Sequence, residues 1–283
     1  MITYKTCTDV TINEIFQAFS LGFSDYILPL TMSQDDFEAI FFGPEGNALN
    51  LSFMAFDQNH PIGLILSGIR VFDGLATMRC GTLCLSPAYR GQGISQKLFE
   101  MHKSAALTFQ CKQLFLEVIK DNHRAVKFYE NCGYKHVYTL KYYSSMIQTI
   151  ASPTDTLPYI VKQVTFDKLE SFRKSLLDCH ISWQSDTPYY ASSTHESLLG
   201  AYHADRQVAL IAMSSQGKIN FLWVHPTCRH QGLGRSMMQK AAQAQNLEKV
   251  TICLPSNASL EDFLRKLHFQ KETIEQYEMY LPL

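Results

Sequence analysis

The segment Arg90-Gly91-Gln92-Gly93-Ile94-Ser95 is where residue types and spacing first suggest chemistry. It follows the apolar run Thr77 to Leu85, which reads as a strand. It precedes a stretch in which Ile94, Leu98, Met101 and Ala105 fall on one helical face. A helix N-terminus leaves four backbone N–H groups unpaired and carries the positive end of the helix dipole, so an anion is favoured there. Glycines let a bulky phosphate approach the main chain and Arg90 adds a fixed positive charge, which suits a pyrophosphate. The loop is neither a nucleotide P-loop, since no Gly-Lys-Ser/Thr follows, nor the dinucleotide fingerprint Gly-x-Gly-x-x-Gly.

The elements that must hold this loop occur twice. Pro87, Arg90, Gln92 and Gly93 recur as Pro226, Arg229, Gln231 and Gly232, each 139 positions later, and Asn122 and Phe128 recur as Asn257 and Phe263, 135 positions later. Two ordered blocks in the same order, differing by a four-residue loop change, indicate duplication. Each half reads strand, Pro/Gly turn, helix, strand, helix. In the first half Gln113 to Ile119 is the second strand, Asn122 is the N-cap of a helix reaching about Asn131, and Gly133 suits the left-handed position after it. Ile12 to Phe23 and Ser33 to Phe42 read as amphipathic helices, with weaker counterparts at Phe166 to Asp178 and Ser193 to Leu199. The run of prolines and small polar residues over 150–158 reads as a linker, giving one domain over 1–149 and another over 159–283.

Composition narrows the function classes. The chain has 283 residues, 46% hydrophobic and 18% charged, enough for a full core in each half, with a formal net charge of −1. That balance gives no overall field for nucleic acid or an anionic membrane, so neither is expected as a partner. No apolar run approaches the ~20 residues of a membrane span, and Met1 to Val10 lacks the pattern of a secretory signal. Eight cysteines without a Cys-x-x-Cys pair read as thiols of a reducing compartment, hence a cytoplasmic protein. His225, Cys228 and His230 share one tight turn without a fourth ligand nearby, so no metal is expected.

The loop at 90–95 together with Asn122, Ala125, Tyr129, Gly133 and Tyr134 resembles the GNAT superfamily of N-acetyltransferases. Its Arg/Gln-x-x-Gly-x-Gly/Ala loop matches except that Ser95 replaces the last small residue, and its Asn-x-x-Ala-x-x-x-Tyr-x-x-x-Gly-Phe/Tyr block matches without a gap. The resemblance covers about 77–143 well and 219–269 in part. It implies an α/β fold of the α+β type: two GNAT-like domains, each a mixed, mostly antiparallel twisted sheet with a splayed central strand pair, flanked by helices. Acetyl-CoA is the implied cosubstrate. Its pantetheine arm would pair with Leu83, Cys84 and Leu85, and its pyrophosphate would sit on Gly91, Gln92, Gly93, Ile94 and Ser95. Asn122, Ala125 and Phe128 would line the other side.

The same resemblance implies that Tyr129 protonates the departing thiolate. Leu116-Glu117-Val118 is similar to the ribosomal-protein alanine N-acetyltransferases, where this Glu is the base; a solvent-facing strand Glu is the alternative. The second half keeps Val224, Arg229, His230, Gln231, Gly232, Leu233, Gly234 and Asn257 as a candidate second cofactor site. At the 135-residue spacing, however, Ile252 stands for Glu117, Leu264 for Tyr129 and His268 for Gly133, so this half is expected to be a degenerate copy. Asp25, Tyr26, Asp35, Asp36 and Glu38 would either form an acidic rim for a cationic acceptor or be a solvated helix face, the latter being expected. The expected activity is direct acetyl transfer to a primary amine of a small molecule or peptide, by a monomer with pseudo-dimeric domains or a homodimer. A non-catalytic acyl-CoA-binding or sensing protein is the alternative, and Tyr129 with Glu117 argues against it.

Overall fold

The computed structural model describes residues 1–28, 30–150, 158–176, 179–191, 196–258 and 260–283. These form two compact units, Met1–Val137 with Tyr277–Leu283, and Tyr138–Gln276. The linear boundary expected at 150–158 is thus crossed by the last strand, whose final residues complete the first unit. Of the expected linker, 151–157 lie outside the described residues. Ile150 is buried in the core of the second unit, where its carbonyl accepts from Nε2 of Gln239 at 2.6 Å.

In the first unit the chain runs β1 (Ile2–Thr6), α1 (Ile12–Gly22), α2 (Gln34–Phe41), β2 (Phe53–Asp57), β3 (His60–Phe72), β4 (Leu75–Leu85), α3 (Ile94–Thr108), β5 (Gln113–Ile119) and α4 (His123–Asn131). The strands lie in the order β1-β2-β3-β4-β5, with residues 277–282 beside β5. Neighbours β1 to β4 are antiparallel, whereas β4 and β5 are parallel because α3 crosses between them. The expected elements form with small end differences. Thr11 and Glu14 build a reciprocal capping box on α1, and Ser33 caps α2 through the backbone N–H of Asp36. The buried stripe of α3 is Ile94, Leu98, Phe99, His102 and Ala106, rotated from the expected one. Met101 and Ala105 are half-buried at its margin, Ala105 packing against the same core, and His102 turns inward to bond Ser67 at 2.7 Å.

The helices cover both faces of this sheet. Met78, Cys80, Leu114, Leu116 and Val118 pack with α3 and α4 residues such as Leu98, Phe99 and Tyr129. Met54, Phe56, Leu64, Leu66 and Cys84 pack with Ile15, Phe19 and Phe37 of α1 and α2.

In the second unit the elements are β6 (Lys135–Met146) from Tyr138 on, β7 (Ile160–Gln163), α5 (Phe166–Ser175), α6 (Thr187–Tyr190), β8 (Ser197–His203), β9 (Arg206–Met213), β10 (Lys218–Val224), α7 (Leu233–Ala244), β11 (Lys249–Pro255), α8 (Glu261–Lys266) and β12 (Gln270–Pro282) as far as Gln276. Its strand order is β12-β6-β11-β10-β9-β8-β7. Helix α5 stops at Ser175, and 177–178 of its expected span lie outside the described residues. Of the helix expected over Ser193 to Leu199, the described Ser197–Leu199 are instead part of strand β8, which pairs with β9, and a short helix occurs earlier at Thr187–Tyr190, capped by Asp186 and led by Pro188. Residues 193–195 of the expected span lie outside the described residues.

Candidate active site

The site begins with a backbone irregularity. Strands β3 and β4 pair from Phe72↔Leu75 to Gly63↔Leu85 with one slip, between Leu66 and Ser67, that makes Gly81 an extra residue in β4. A Cβ at Gly81 would fall 2.2 Å from Oδ1 of Asn47, so the close approach of Asn47 requires glycine. On its other side β4 pairs with β5 only over Thr77–Arg79 and Gln113–Phe115. Beyond that point Cys80–Leu85 and Leu116–Ile119 diverge, leaving a gap between two parallel strands whose edges keep their hydrogen-bonding capacity.

Alternation along β5 places different chemistry on the two faces of that gap. Leu116 and Val118 point to the α3–α4 core, while Phe115 and Glu117 point the other way. Glu117 is buried and accepts from Nη2 of Arg79 at 2.7 Å through Oε2. Arg79 also donates to the carboxylate and to the backbone carbonyl of Glu45. Oε1 of Glu117 has no hydrogen-bond partner among the described residues. Burial pushes the Glu117 carboxyl up to about 7; Arg79 pulls it down, while Glu278 and Glu45 push it further up. A carboxylate poised near neutrality and half unpartnered has the character of a general base.

Tyr129 approaches from the α3–α4 face. It is 8% exposed, hydrogen-bonds Cys80 and packs edge-on against Phe128 and Tyr134. Burial first, and then Cys80, raise its pKa well above the ordinary phenol, so it stays protonated as a proton donor must. Cys80 is pushed up to about 12 by burial and is no thiolate. Tyr129 and Glu117 therefore reach consecutive residues of β4, Cys80 and Arg79, from opposite faces where the strands part.

The phosphate cradle follows β4. Gly91 and Gly93 have φ of +77° and +79°, and a Cβ on either would meet nothing within 4 Å. Gly93 is the N-cap of α3 and offers no side-chain cap; the bond from the N–H of Lys97 to the carbonyl of Gly93 opens the helix. Ile94 is buried beneath the turn, and Gln92 ties it by donating to the carbonyl of Ala88 at 3.3 Å. Arg90 differs from its expected use as a free charge. Its Nε donates to the carbonyl of Leu85 at 3.2 Å, and Nη2 donates to the carbonyl of Gly22 at 3.2 Å and to Asp25 at 2.7 Å. The guanidinium therefore fastens the loop to the end of α1, and anion attraction falls to the amides. Asp25 is spent on that pair, so it is neither a free rim charge nor a merely solvated residue.

Asn122 caps α4 by accepting from the N–H of Ala125 at 3.2 Å and also bonds the Tyr26 hydroxyl. Ala125 and Phe128 pack against the core from α4. On β4, Leu83 is half-buried at the gap, whereas the Cys84 side chain faces α1 and donates to the carbonyl of Ala18. Sequence reasoning missed Glu45, Arg79 and Glu278. A usable signal was a lone Arg in apolar β4 beside a lone Glu in apolar β5.

In the second unit the cradle has the same geometry. Gly232 is the N-cap of α7 at φ +81°, and His230 adopts the left-handed φ of +63° where the first unit has Gly91. Arg229 donates from Nε to the carbonyl of Val224 at 3.0 Å, and Gln231 donates to the carbonyl of Thr227 at 3.2 Å. Leu233 and Gly234 are buried at the start of α7. Strand β10 pairs with β11 over Lys218 and Ile219 alone and bulges at Asn220. The register corrects one expectation. Val250, Ile252 and Leu254 occupy the core face as Leu114, Leu116 and Val118 do, so Cys253, not Ile252, stands at the place of Glu117. His225 bonds Thr227 and Arg206. Among the described residues no cluster of three or more metal-ligating side chains occurs, and no helix is long and apolar enough to cross a membrane.

Comparison with known proteins bears on the family and the fold. Residues 12–134 match the model of the acetyltransferase (GNAT) family, and residues 165–283 match that of an acetyltransferase (GNAT) domain. The chain is 32% identical over 115 residues to N-alpha-acetyltransferase 30 of Schizosaccharomyces pombe, covering 39% of this chain and 70% of that protein. It is 27% identical over 96 residues to the protein of the same name in Dictyostelium discoideum, covering 34% and 52%. Among solved structures, a GCN5-related N-acetyltransferase from Sphaerobacter thermophilus superposes with a TM-score of 0.72 at 11% identity, covering 100% of this chain and 95% of that one. A tandem GNAT protein of the clavulanic acid biosynthesis pathway gives 0.69 at 13% identity, covering 100% and 98%. At these identities the structural matches speak for the fold.

Proposed function

Because the chain belongs to the GNAT acetyltransferase family in both of its halves, we propose that its first unit transfers acetyl from acetyl-CoA directly to a primary amine. The observation that carries this reading is the placement of Glu117 and Tyr129 on opposite faces of the strand gap. The cradle fits a CoA pyrophosphate, since two left-handed glycines leave open space above an uncapped helix start. When bound, acetyl-CoA supplies the activated acyl group; the rest of the chemistry belongs to side chains and main chain.

Glu117 takes a proton from the acceptor ammonium through Oε1, turning it into a nucleophile. Backbone N–H groups of β4 near Leu85 support the negative charge that develops on the carbonyl oxygen. As the carbon–nitrogen bond forms and the carbon–sulfur bond breaks, Tyr129 gives its proton to the departing sulfur, and the second proton shed by the nitrogen restores the phenol. Cytoplasmic action on a peptide α-amine is the first acceptor to test, given the N-alpha-acetyltransferase relatives, with small primary amines next. In the second unit we propose a cradle that still takes the coenzyme but lacks acid and base.

The test is release of free CoA thiol from acetyl-CoA across a panel of unblocked peptides and small amines at pH 8, with Y129F as control. Turnover with at least one amine, lowered ~100-fold or more in Y129F, is expected. Saturable coenzyme binding without thiol release across the panel would favour the binding or sensing alternative.

A further inference from the structure

The group that prepares Glu117 lies outside the family motifs. Arg79 is buried between two carboxylates, with Nη2 on Oε2 of Glu117 and Nη1 on Glu45. The three side chains are between 4% and 11% exposed. Glu45 reaches Arg79 from the segment after α2, beside Asn47, which packs against the bulge at Gly81. From the last strand, Glu278 is fully buried and also faces Glu117. The charged groups around the candidate base thus come from three elements: Arg79 from β4, Glu45 from the α2–β2 connection and Glu278 from the chain's end.

A carboxylate with one oxygen fixed has one oxygen left to work with. The fork of a guanidinium, held at its other arm, fixes that choice geometrically, which a flexible ammonium would not do. We propose that Arg79 is a positioning residue that pins Oε2 of Glu117 so that Oε1 faces the acceptor amine, and that Glu45, by sharing the same guanidinium, sets how strongly it holds. The inference rests on the base role proposed for Glu117. It adds a cost and a function: a buried carboxylate facing a second and third acid is kept usable by one cation, so the balance of the cluster decides when the base is ionised.

The opposite signs of the two partners make this testable. Removing Arg79's charge takes away what favours the Glu117 carboxylate, so its titration moves up; removing Glu45's charge takes away a repulsion and frees the guanidinium for Glu117, so its titration moves down. A residue that only supports the fold would lower activity at every pH without moving either in opposite directions.

The experiment is an NMR titration of protein labelled with 13C at glutamate carboxyl carbons, without acceptor or coenzyme, using E117Q to identify the Glu117 resonance. In R79Q the Glu117 midpoint should rise by about one unit or more, and in E45Q it should fall. R79K should lie between wild type and R79Q, and it serves if R79Q does not fold, which thermal unfolding reports. The acid limb of kcat/KM, measured with the best peptide of the panel, should move in the same two directions. Unshifted midpoints, or shifts of one sign in both variants, would overturn the proposal. If E117Q keeps the wild-type acid limb, the base reading itself fails; if that limb vanishes in E117Q yet ignores R79Q and E45Q, only the role of Arg79 and Glu45 fails.

Discussion

The two units build the same loop and surround it with different chemistry. In each, an arginine donates Nε to the carbonyl that ends the strand, a glutamine ties the turn, and a left-handed glycine opens the helix without a side-chain cap. The strand pair parts after two or three residues in both, just before a bulge at Gly81 or Asn220. Around this frame the reactive groups diverge. At the 139-residue spacing Arg79 becomes Lys218, which donates to the carbonyl of Gln184 at 2.5 Å, while the positions of Glu117 and Tyr129 hold Cys253 and Leu264. On the function proposed above, coenzyme recognition would rest on backbone geometry, which a few Pro, Gly and Arg positions fix. Proton transfer would rest on side chains, which can be lost without disturbing that frame.

The largest effect should come from the side chains present on one side alone. Y129F and E117Q are expected to lower turnover by ~10²–10⁴-fold while leaving acetyl-CoA affinity within ~3-fold, by thiol release and calorimetry. C253S, at the place of Glu117 in the second unit, should leave turnover within ~2-fold. A loss on the scale of E117Q from C253S would break the division of labour. Because burial raises Glu117 to about 7, the ionised form that the proposed base role needs is lost as pH falls through that value. Wild-type kcat/KM should therefore drop about tenfold per pH unit on the acid side, where E117Q shows no such limb.

The next effect tests the shared frame. A branched side chain at a left-handed glycine is strained and would fill the space above the helix start. G93V should weaken acetyl-CoA binding by tenfold or more and lower kcat/KM with it. G232V should leave turnover near wild type but reduce the calorimetric stoichiometry from two coenzymes per chain to one. A stoichiometry of one in the wild type, unchanged by G232V, would show that an equal cradle does not suffice without the rest of the channel.

The frame was legible in the sequence because it depends on residues with unusual backbone demands. Asn122 and Gly133 stand where an N-cap and a left-handed residue after a helix end were expected from residue type, and the left-handed Gly91 and Gly93 stand where glycine was expected to let a phosphate approach. What was not legible depends on contacts distant along the chain. Arg79 meets Glu45 and Glu117 across 34 and 38 residues, and the last strand reaches the first unit from the far end of the chain. Local periodicity carries no trace of such pairings. The strand alternation that separates Cys253 from Ile252 could have been read earlier, since a one-residue change in the strand-to-helix turn reverses every face. His102 was hidden for a related reason: a histidine in an amphipathic helix reads as solvated until Ser67 is found opposite it.

The smallest effect concerns a feature that the second unit does not show among the described residues. Arg90 and Arg229 make the same bond to the preceding strand, but Arg90 alone is shown with an acid, Asp25, at the end of α1. That bond draws the Asp25 carboxyl below its ordinary range, with the nearby charge of Arg90 and Arg124 adding to it. The depressed value means the pair's contribution is present above the ordinary aspartate range and is lost as pH falls through the lowered one. Asp25 is half-exposed, so solvent screens the pair and D25N should cost less than about 1 kcal/mol at neutral pH. The difference between D25N and wild type in thermal unfolding should shrink at 1 M salt and shrink further as pH falls below the ordinary aspartate range. Acetyl-CoA affinity should change by less than about threefold, because Arg90 keeps its bonds to Leu85 and Gly22. A tenfold loss of affinity would mean that the proposed cradle needs an anchor on α1 to hold phosphate, and that the second cradle, which shows no such acid among the described residues, is the weaker site for a reason of positioning.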